Sequence, residues 1–446
     1  MLEQALRNVA VVGAAGKMGS GIALLLLREM ARLEVENRPT ETFPEARLHL
    51  VDCDRNALKG LYRYLQIQLR RYAEKSIVSL RAAFQDRLDL VDNGEIIDAF
   101  LERALLIVHL ATDMECAAES RLVFEAVFEK LEIKGRLFEN LKRICPPDAF
   151  FFTNTSSIPI SAIEESAGLR GRLIGYHFYN PAAVQKLLEI IPTASTPEPL
   201  NQIAVDLGKR LGKTLVQSRD IAGFIGNGFF VRDALFGIGK MEILARSFSS
   251  AEAIYMVNRV TQDFMIRPMG IFQLIDYVGL EVFQMILESM DRYIGDETFC
   301  SPAIRRMLEA GNTGGQLPDG SQRDGFLRYE KDGIAGVYNL DTKAYVEIDT
   351  EFKRKCDSRL GSLPPGHHPW KSLSKDGNRE QKLAAYFRAL SQEKGRGAQM
   401  AREYLQNAGE ISRNLIESGV ATGSAAVATV TINGFYHLYE PDNRLF

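Results

Sequence analysis

NVAVVGAAGKMGSGIALLLLREMARL, residues 8 to 33, decides the fold. Its first six residues, NVAVVG, read as a short buried strand, and GIALLLLREMARL has the apolar spacing of a helix. Between them, Gly13-Ala-Ala-Gly16-Lys17-Met18-Gly19 supplies backbone free of side chains and a helix N-terminus. A pyrophosphate needs both, for close approach and for charge. Gly21 then lets the helix lie close to a sheet. The spacing is GxxGxxG, one residue longer than the GxGxxG fingerprint, so its weight comes from its place between strand and helix.

Working outward, short apolar runs recur at 47–52 (RLHLVD), 121–127 (RLVFEAV), 149–154 (AFFFTN), 173–178 (LIGYHF) and 214–218 (TLVQS), separated by helical stretches. Such alternation implies an α/β domain with a Rossmann-type, doubly wound parallel sheet. Asp52 ends the second run, where a carboxylate accepts hydrogen bonds from adenosine ribose hydroxyls and repels a 2′-phosphate; NAD is favoured over NADP. It lies farther from Gly19 than the usual ~20 residues, and the excess, ENRPTETFPEA (36–46), reads as a loop insertion. Capping of the next helix is the other role open to Asp52, although Asp54 can do that.

After Asp220 strand signals vanish, and GNGFFVRDALFGIGKMEILARSF and SAEAIYMVNRVTQDFM read as helices. The expected organisation is an NAD-binding domain over 1–219, an all-α domain over 220–330, and a remainder over 331–446. That remainder starts with a polar, punctuated linker to about 380, carrying at most a small hairpin around GVYNLDTKAYVEI, and ends in helices. Its segment ISRNLIESGVATGSAAVATVTINGFYHLYEP loosely echoes EILARSFSSAEAIYMVNRVTQDFMIRPMG and reads as a degenerate second helical domain.

At 446 residues the chain exceeds one ordinary core, and 46% hydrophobic with 25% charged residues is globular composition. A net charge of -3 gives no reason to expect nucleic acid. The five cysteines lack CxxC or Cys/His spacing, so neither a disulfide framework nor a metal site is expected. The N-terminus lacks the pattern of a signal peptide, and no window of ~18 uninterrupted apolar residues suggests a membrane span. A cytoplasmic protein is expected.

Two segments carry the chemistry: TNTSS (153–157) and YHFYNPAAVQKLLEI (176–190). With FEAVFEKLEIK (124–134), DIAGFIGN (220–227) and RPMGIFQLIDYVGL (267–280), they make the chain resemble the 3-hydroxyacyl-CoA dehydrogenase family over roughly residues 5 to 330. The resemblance implies that His177 takes the proton of a substrate hydroxyl as hydride leaves C3 for NAD, with Glu189 orienting the imidazole. A histidine of ordinary pKa, ~6.5, accepts a proton at neutral pH, and a neighbouring carboxylate stabilises the imidazolium. The two are twelve residues apart in sequence, so a bend at Asn180-Pro181 must fold the chain back.

By the same resemblance Ser156 bonds the substrate oxygen and the cofactor, and Asn227 binds the reacting group from the other side. Glu129, Lys134, Asn154 and Asn180 are expected at the nicotinamide half of NAD. The family presents a proline before GF and an arginine after the Asn, whereas this chain reads Ala222-Gly223-Phe224-Ile225-Gly226-Asn227-Gly228, which loosens the helix start. Lys59, Arg63, Arg70, Arg71 and Lys75 form a basic stripe, with Arg71 and above all Lys75 as candidate contacts for the phosphates of an acyl-CoA.

The tail, through GVYNLDTKAY, Trp370-Lys371-Ser372 and NGFYHLYEP, resembles the second helical domain of dehydrogenases fused to a crotonase-like hydratase. A monomer or homodimer is expected, working beside a separate enoyl-CoA hydratase. A dehydrogenase for a free hydroxy acid would want an Arg or Lys beside His177 for the carboxylate. A scaffold that had lost turnover would lack His177 or Glu189.

Overall fold

The computed structural model describes residues 2–38, 40, 43–295, 297–317 and 320–442. The chain divides into two compact units, Met1–Asp220 and Ile221–Phe446.

The first unit is built on eight strands: β1 (Asn8–Val12), β2 (Arg47–Val51), β3 (Val108–Ala111), β4 (Leu122–Glu125), β5 (Phe150–Thr153), β6 (Leu173–Phe178), β7 (Leu187–Ile191) and β8 (Thr214–Gln217). Their order is β3-β2-β1-β4-β5-β6-β7-β8. The flanking helices used below are α1 (Lys17–Asn37), α2 (Arg55–Lys75), α3 (Asn93–Leu106), α4 (Leu131–Ile144), α5 (Ile160–Ala167) and α6 (Glu198–Arg210). Central strands carry continuous apolar runs because helices cover both faces; β4, β6 and β7 are buried throughout. Strand order reverses between β1 and β4, which opens a crevice at their carboxyl ends.

The sheet is the expected parallel one except at one place. β6 and β7 pair antiparallel, with His177 opposite Glu189, and β8 then pairs parallel with β7. The connection from Tyr179 to Lys186 is too short for a helical crossover, which takes a dozen or more residues, so β7 can only return as a hairpin. Neither β7 nor the half-exposed edge strand β3 was among the expected strands.

The insertion after α1 is smaller than expected, because the helix continues through Asn37. Buried Glu34 accepts the backbone N–H groups of Glu45 and Ala46, tying the returning chain to the helix. Pro39, Glu41 and Thr42 of the expected insertion lie outside the described residues.

The second unit is organised around α7 (Phe224–Ala245), which buries residues on most of its circumference. Against it lie α8 (Ser250–Arg259), α9 (Ile271–Val278), and two helices of the tail, α10 (Arg396–Glu417) and α11 (Ser424–Gly434). Gly237 makes this possible, since a Cβ there would stand 2.4 Å from the Tyr404 hydroxyl of α10. Buried Arg267 pairs with Asp233 at 2.6 Å, and Tyr386 and Tyr439 of the tail donate to the carbonyls of Phe264 and Met265.

Residues 331–380 are therefore not a linker. They hold β10 (Gly333–Asn339) and β11 (Ala344–Glu347), the expected hairpin, joined by β9 (Leu327–Glu330). Val337, Tyr338, Cys356 and Leu360 share one core with Val231, Ala234 and Met241 of α7. Polar residues dominate that stretch of sequence and hide its few core positions. Among the described residues, no helix is long and apolar enough to cross a membrane.

Candidate active site

Gly13 has φ +78°, and a Cβ on it would stand 2.5 Å from the Ala126 carbonyl oxygen. A Cβ on Gly19 would lie 2.0 Å from the Gly13 oxygen. The turn between β1 and α1 therefore tolerates glycine alone at both places. α1 starts at Lys17 with Gly16 as N-cap, which has no side chain to occupy the first N–H groups. Those groups and the positive end of the helix suit a diphosphate. Met18 packs on the core of this unit, and burial lowers the Lys17 ammonium. Asp52 follows β2 and accepts the Ala15 N–H at 3.0 Å. Capping of α2 falls to Asp54, which accepts from Asn56 and Ala57.

These features fit a bound dinucleotide and carry a prediction. Gly19→Ala is expected to weaken NADH binding by tenfold or more, about 1.4 kcal/mol, measured by fluorescence titration; an unchanged affinity would contradict the close approach.

Glu129 and Lys134, expected at the nicotinamide, form a network around TNTSS. Glu129 Oε1 accepts the Thr155 hydroxyl at 2.6 Å and the N–H groups of Ser156 and Ser157 at 2.8 and 3.0 Å. Lys134 Nζ sits 3.3 Å from Glu129 Oε2 and 2.7 Å from Glu125 Oε1. Burial pushes the Glu129 carboxyl up, but Lys134 and the donors around it outweigh burial and hold it below the usual range. Burial works against the Lys134 ammonium too, and Glu125 with Glu129 more than compensates. Glu125, which accepts the Thr153 hydroxyl at 2.6 Å, escaped the sequence reading. Its only signal was an acid at the end of a buried strand.

His177 and Glu189 come together as facing residues of β6 and β7, Nδ1 to Oε1 at 3.1 Å. Both are buried, Glu189 completely and His177 to 7% exposure. An ionised carboxylate can only accept, so Nδ1 carries the proton and Nε2 is left as the acceptor. Tyr179 donates its hydroxyl to the same Glu189 oxygen at 2.7 Å; it too was missed. The hairpin turn includes Asn180, whose peptide to Pro181 is cis. The turn packs on α1, where a Cβ on Gly21 would meet Ala182 at 2.9 Å. Lys213 donates to the Ala182 and Gln185 carbonyls from the other side. Asn154 accepts the Phe178 N–H at 2.9 Å, joining the end of β5 to that of β6.

Ser156 lies in the TNTSS turn of this unit. Asn227 lies in the second unit, in the first turn of α7, which begins after left-handed Gly223. Arg71 and Lys75 are exposed on α2 in a row spaced by four, with Lys59, Arg63 and Ile67. Beside it runs a groove of about 510 Å³, lined by Gln66, Arg70 and Leu101 among others. Arg70 leaves the stripe to pair with Asp98 on α3. Among the described residues, no group of three or more His, Cys, Asp or Glu is placed to hold a metal.

Comparison with known proteins gives this architecture a class and then a family. Residues 8–221 match the 3-hydroxyacyl-CoA dehydrogenase NAD-binding domain, and 228–323 its C-terminal domain. The probable 3-hydroxybutyryl-CoA dehydrogenase of Deinococcus radiodurans is 32% identical over 232 residues, 52% of this chain and 81% of that protein. The glyoxysomal fatty acid beta-oxidation multifunctional protein MFP-a of Cucumis sativus is 29% identical over 365 residues, 82% of this chain and 44% of that protein. The crystal structure of 3-hydroxybutyryl-CoA dehydrogenase from Escherichia coli K12 shares the fold, with a TM-score of 0.63 at 21% identity over 98% of this chain and 90% of that one. The α/β unit is thus an NAD-binding domain of an oxidoreductase. The chain belongs to the 3-hydroxyacyl-CoA dehydrogenase family.

Proposed function

We propose that this chain interconverts (S)-3-hydroxyacyl-CoA and 3-oxoacyl-CoA reversibly with NAD, His177 serving as the base. The observation that carries the proposal is the cross-strand pair, His177 Nδ1 on Glu189 Oε1 at 3.1 Å, which leaves Nε2 as the proton acceptor. Bound NAD⁺ supplies the hydride acceptor for C3. Nε2 takes the hydroxyl proton, and Glu189 stabilises the imidazolium that results. Ser156 and Asn227 are neutral donors for the oxygen as it becomes a carbonyl, and on the way back they favour the developing alkoxide. Asp52 accepts from the ribose hydroxyls, and Asn154 and Asn180 lie toward the nicotinamide half. Glu129 and Lys134 serve chiefly by fixing the turn that presents Ser156. Arg71 and Lys75 meet the phosphates of the coenzyme A end.

The five free thiols suit a reducing compartment, and we place the enzyme in the cytoplasm. We read the tail as a degenerate second helical domain that covers α7 from within the chain, giving a monomer or homodimer. Its substrate would come from a separate enoyl-CoA hydratase. The deciding experiment compares acetoacetyl-CoA with free acetoacetate, each with NADH and with NADPH. Preference for the thioester and for NADH of about tenfold or more in kcat/KM, 1.4 kcal/mol in barrier, is expected. Equal use of the free acid would point instead to a hydroxy acid dehydrogenase.

A further inference from the structure

One oxygen of Glu189 serves two donors. His177 Nδ1 lies 3.1 Å from Oε1 and the Tyr179 hydroxyl 2.7 Å from it, while the two rings stand 4.9 Å apart at 38°. A carboxylate oxygen that already accepts one hydrogen bond has less charge to offer a second donor, and the competition is strong where water is scarce. We propose that Tyr179 is a positioning residue that shares Glu189 Oε1 with His177 and so sets how tightly the imidazole holds its catalytic proton. The inference rests on His177 being the base.

Burial and the neighbouring carboxylate keep the Tyr179 phenol well above the ordinary tyrosine range, so it stays a donor at any working pH. Few other charges can take over the role. β5 and β8, the strands on either side of the β6–β7 hairpin, carry no titratable side chain. Tyr176 points to the α6 side, where its hydroxyl donates to Ala204, so His177 points to the opposite side, with α5. There Glu164 is engaged with the Gly171 N–H and the hydroxyls of Thr193 and Ser195, and Glu165 is exposed. Asp220 accepts the first N–H groups of α5, from Ile160 and Ser161. Lys213 lies 5.6 Å over the Phe178 ring but is held by two carbonyls, with Arg28 facing it from α1.

Without the phenol, the charge of Oε1 that it draws on returns to the imidazolium, and the base should protonate at higher pH. Oxidation needs His177 free of its catalytic proton and reduction needs it protonated. Oxidation therefore fails on the acid side of its midpoint and reduction on the alkaline side of its own, each direction reporting the base in its own cofactor complex.

The test is kcat/KM against pH in both directions for the native chain, Tyr179→Phe and His177→Gln. Phenylalanine keeps the ring against His177 and removes only the donor. For Tyr179→Phe the two midpoints are expected to rise together, by about half to one pH unit. Midpoints that stay in place or fall would overturn the proposal, even if kcat dropped at every pH, as it would from simple loosening of the hairpin. Turnover retained by His177→Gln would instead remove the reading on which the proposal stands.

Discussion

His177→Gln is expected to lower kcat about 10²- to 10⁴-fold with acetoacetyl-CoA and NADH, the range that general acid–base catalysis contributes. In barrier terms this is about 3–5 kcal/mol. Glutamine fills similar space and adds no charge, so the hairpin should hold. Its amide can neither accept nor deliver a proton at neutral pH, and the reacting oxygen would have to exchange its proton with water. Substrate and cofactor binding use other groups, so KM values should move little, the pattern of an interaction made mainly in the transition state. A loss smaller than threefold would show that another group takes the proton.

Lys134→Met is expected to cost the first unit about 3–5 kcal/mol, because it strips the cation from a buried cluster and leaves the carboxylates behind. Lys134 is 1% exposed and Glu125 fully buried. In a unit of this size each kcal/mol is worth about 2–4 °C, so its melting temperature should fall by roughly 10 °C in calorimetry. The sign with pH follows from the two directions. Glu129 is held below its unfolded range, so its stabilisation is present above that range and lost on acidification. Lys134 is held above its own, so its stabilisation persists until alkaline pH. The native cluster is thus at full strength around neutrality, where the variant should suffer most. The gap should narrow in acid, as the orphaned carboxylates take up protons. A shift under 2 °C at neutral pH would mean that the pocket relaxes or admits water.

The strand, turn and helix over residues 8–33 were legible because sterics fix them: only glycine fits where a Cβ would strike the Gly13 oxygen. The residues His177 and Glu189 were legible as well, through the motif around them, but not the strand that carries the second. LLEII has no alternation to mark it, since β7 is buried on both faces. Tyr179 and Glu125 left no periodic trace; each matters through partners elsewhere in the sequence, Glu189 for the first, Lys134 and Thr153 for the second. Lys134 was singled out for the cofactor, yet the structure shows what it does locally, which is to neutralise two acids under the TNTSS turn. The segment 331–380 misled because its core contribution rests on a few residues such as Val337 and Cys356 among many polar ones. Ile266, with φ +50°, and the π-turn over Val260–Phe264 had no sequence signature.

The most direct measurement is a single turnover in which enzyme saturated with NADH is mixed with acetoacetyl-CoA and NADH absorbance is followed, for the native chain and for His177→Gln, with both ligands' affinities measured alongside. A fast native transient is expected, slowing at least a hundredfold in the variant while both affinities stay within about threefold, under 1 kcal/mol. A variant transient as fast as the native one, or a loss explained wholly by weaker binding, would contradict His177 as the base.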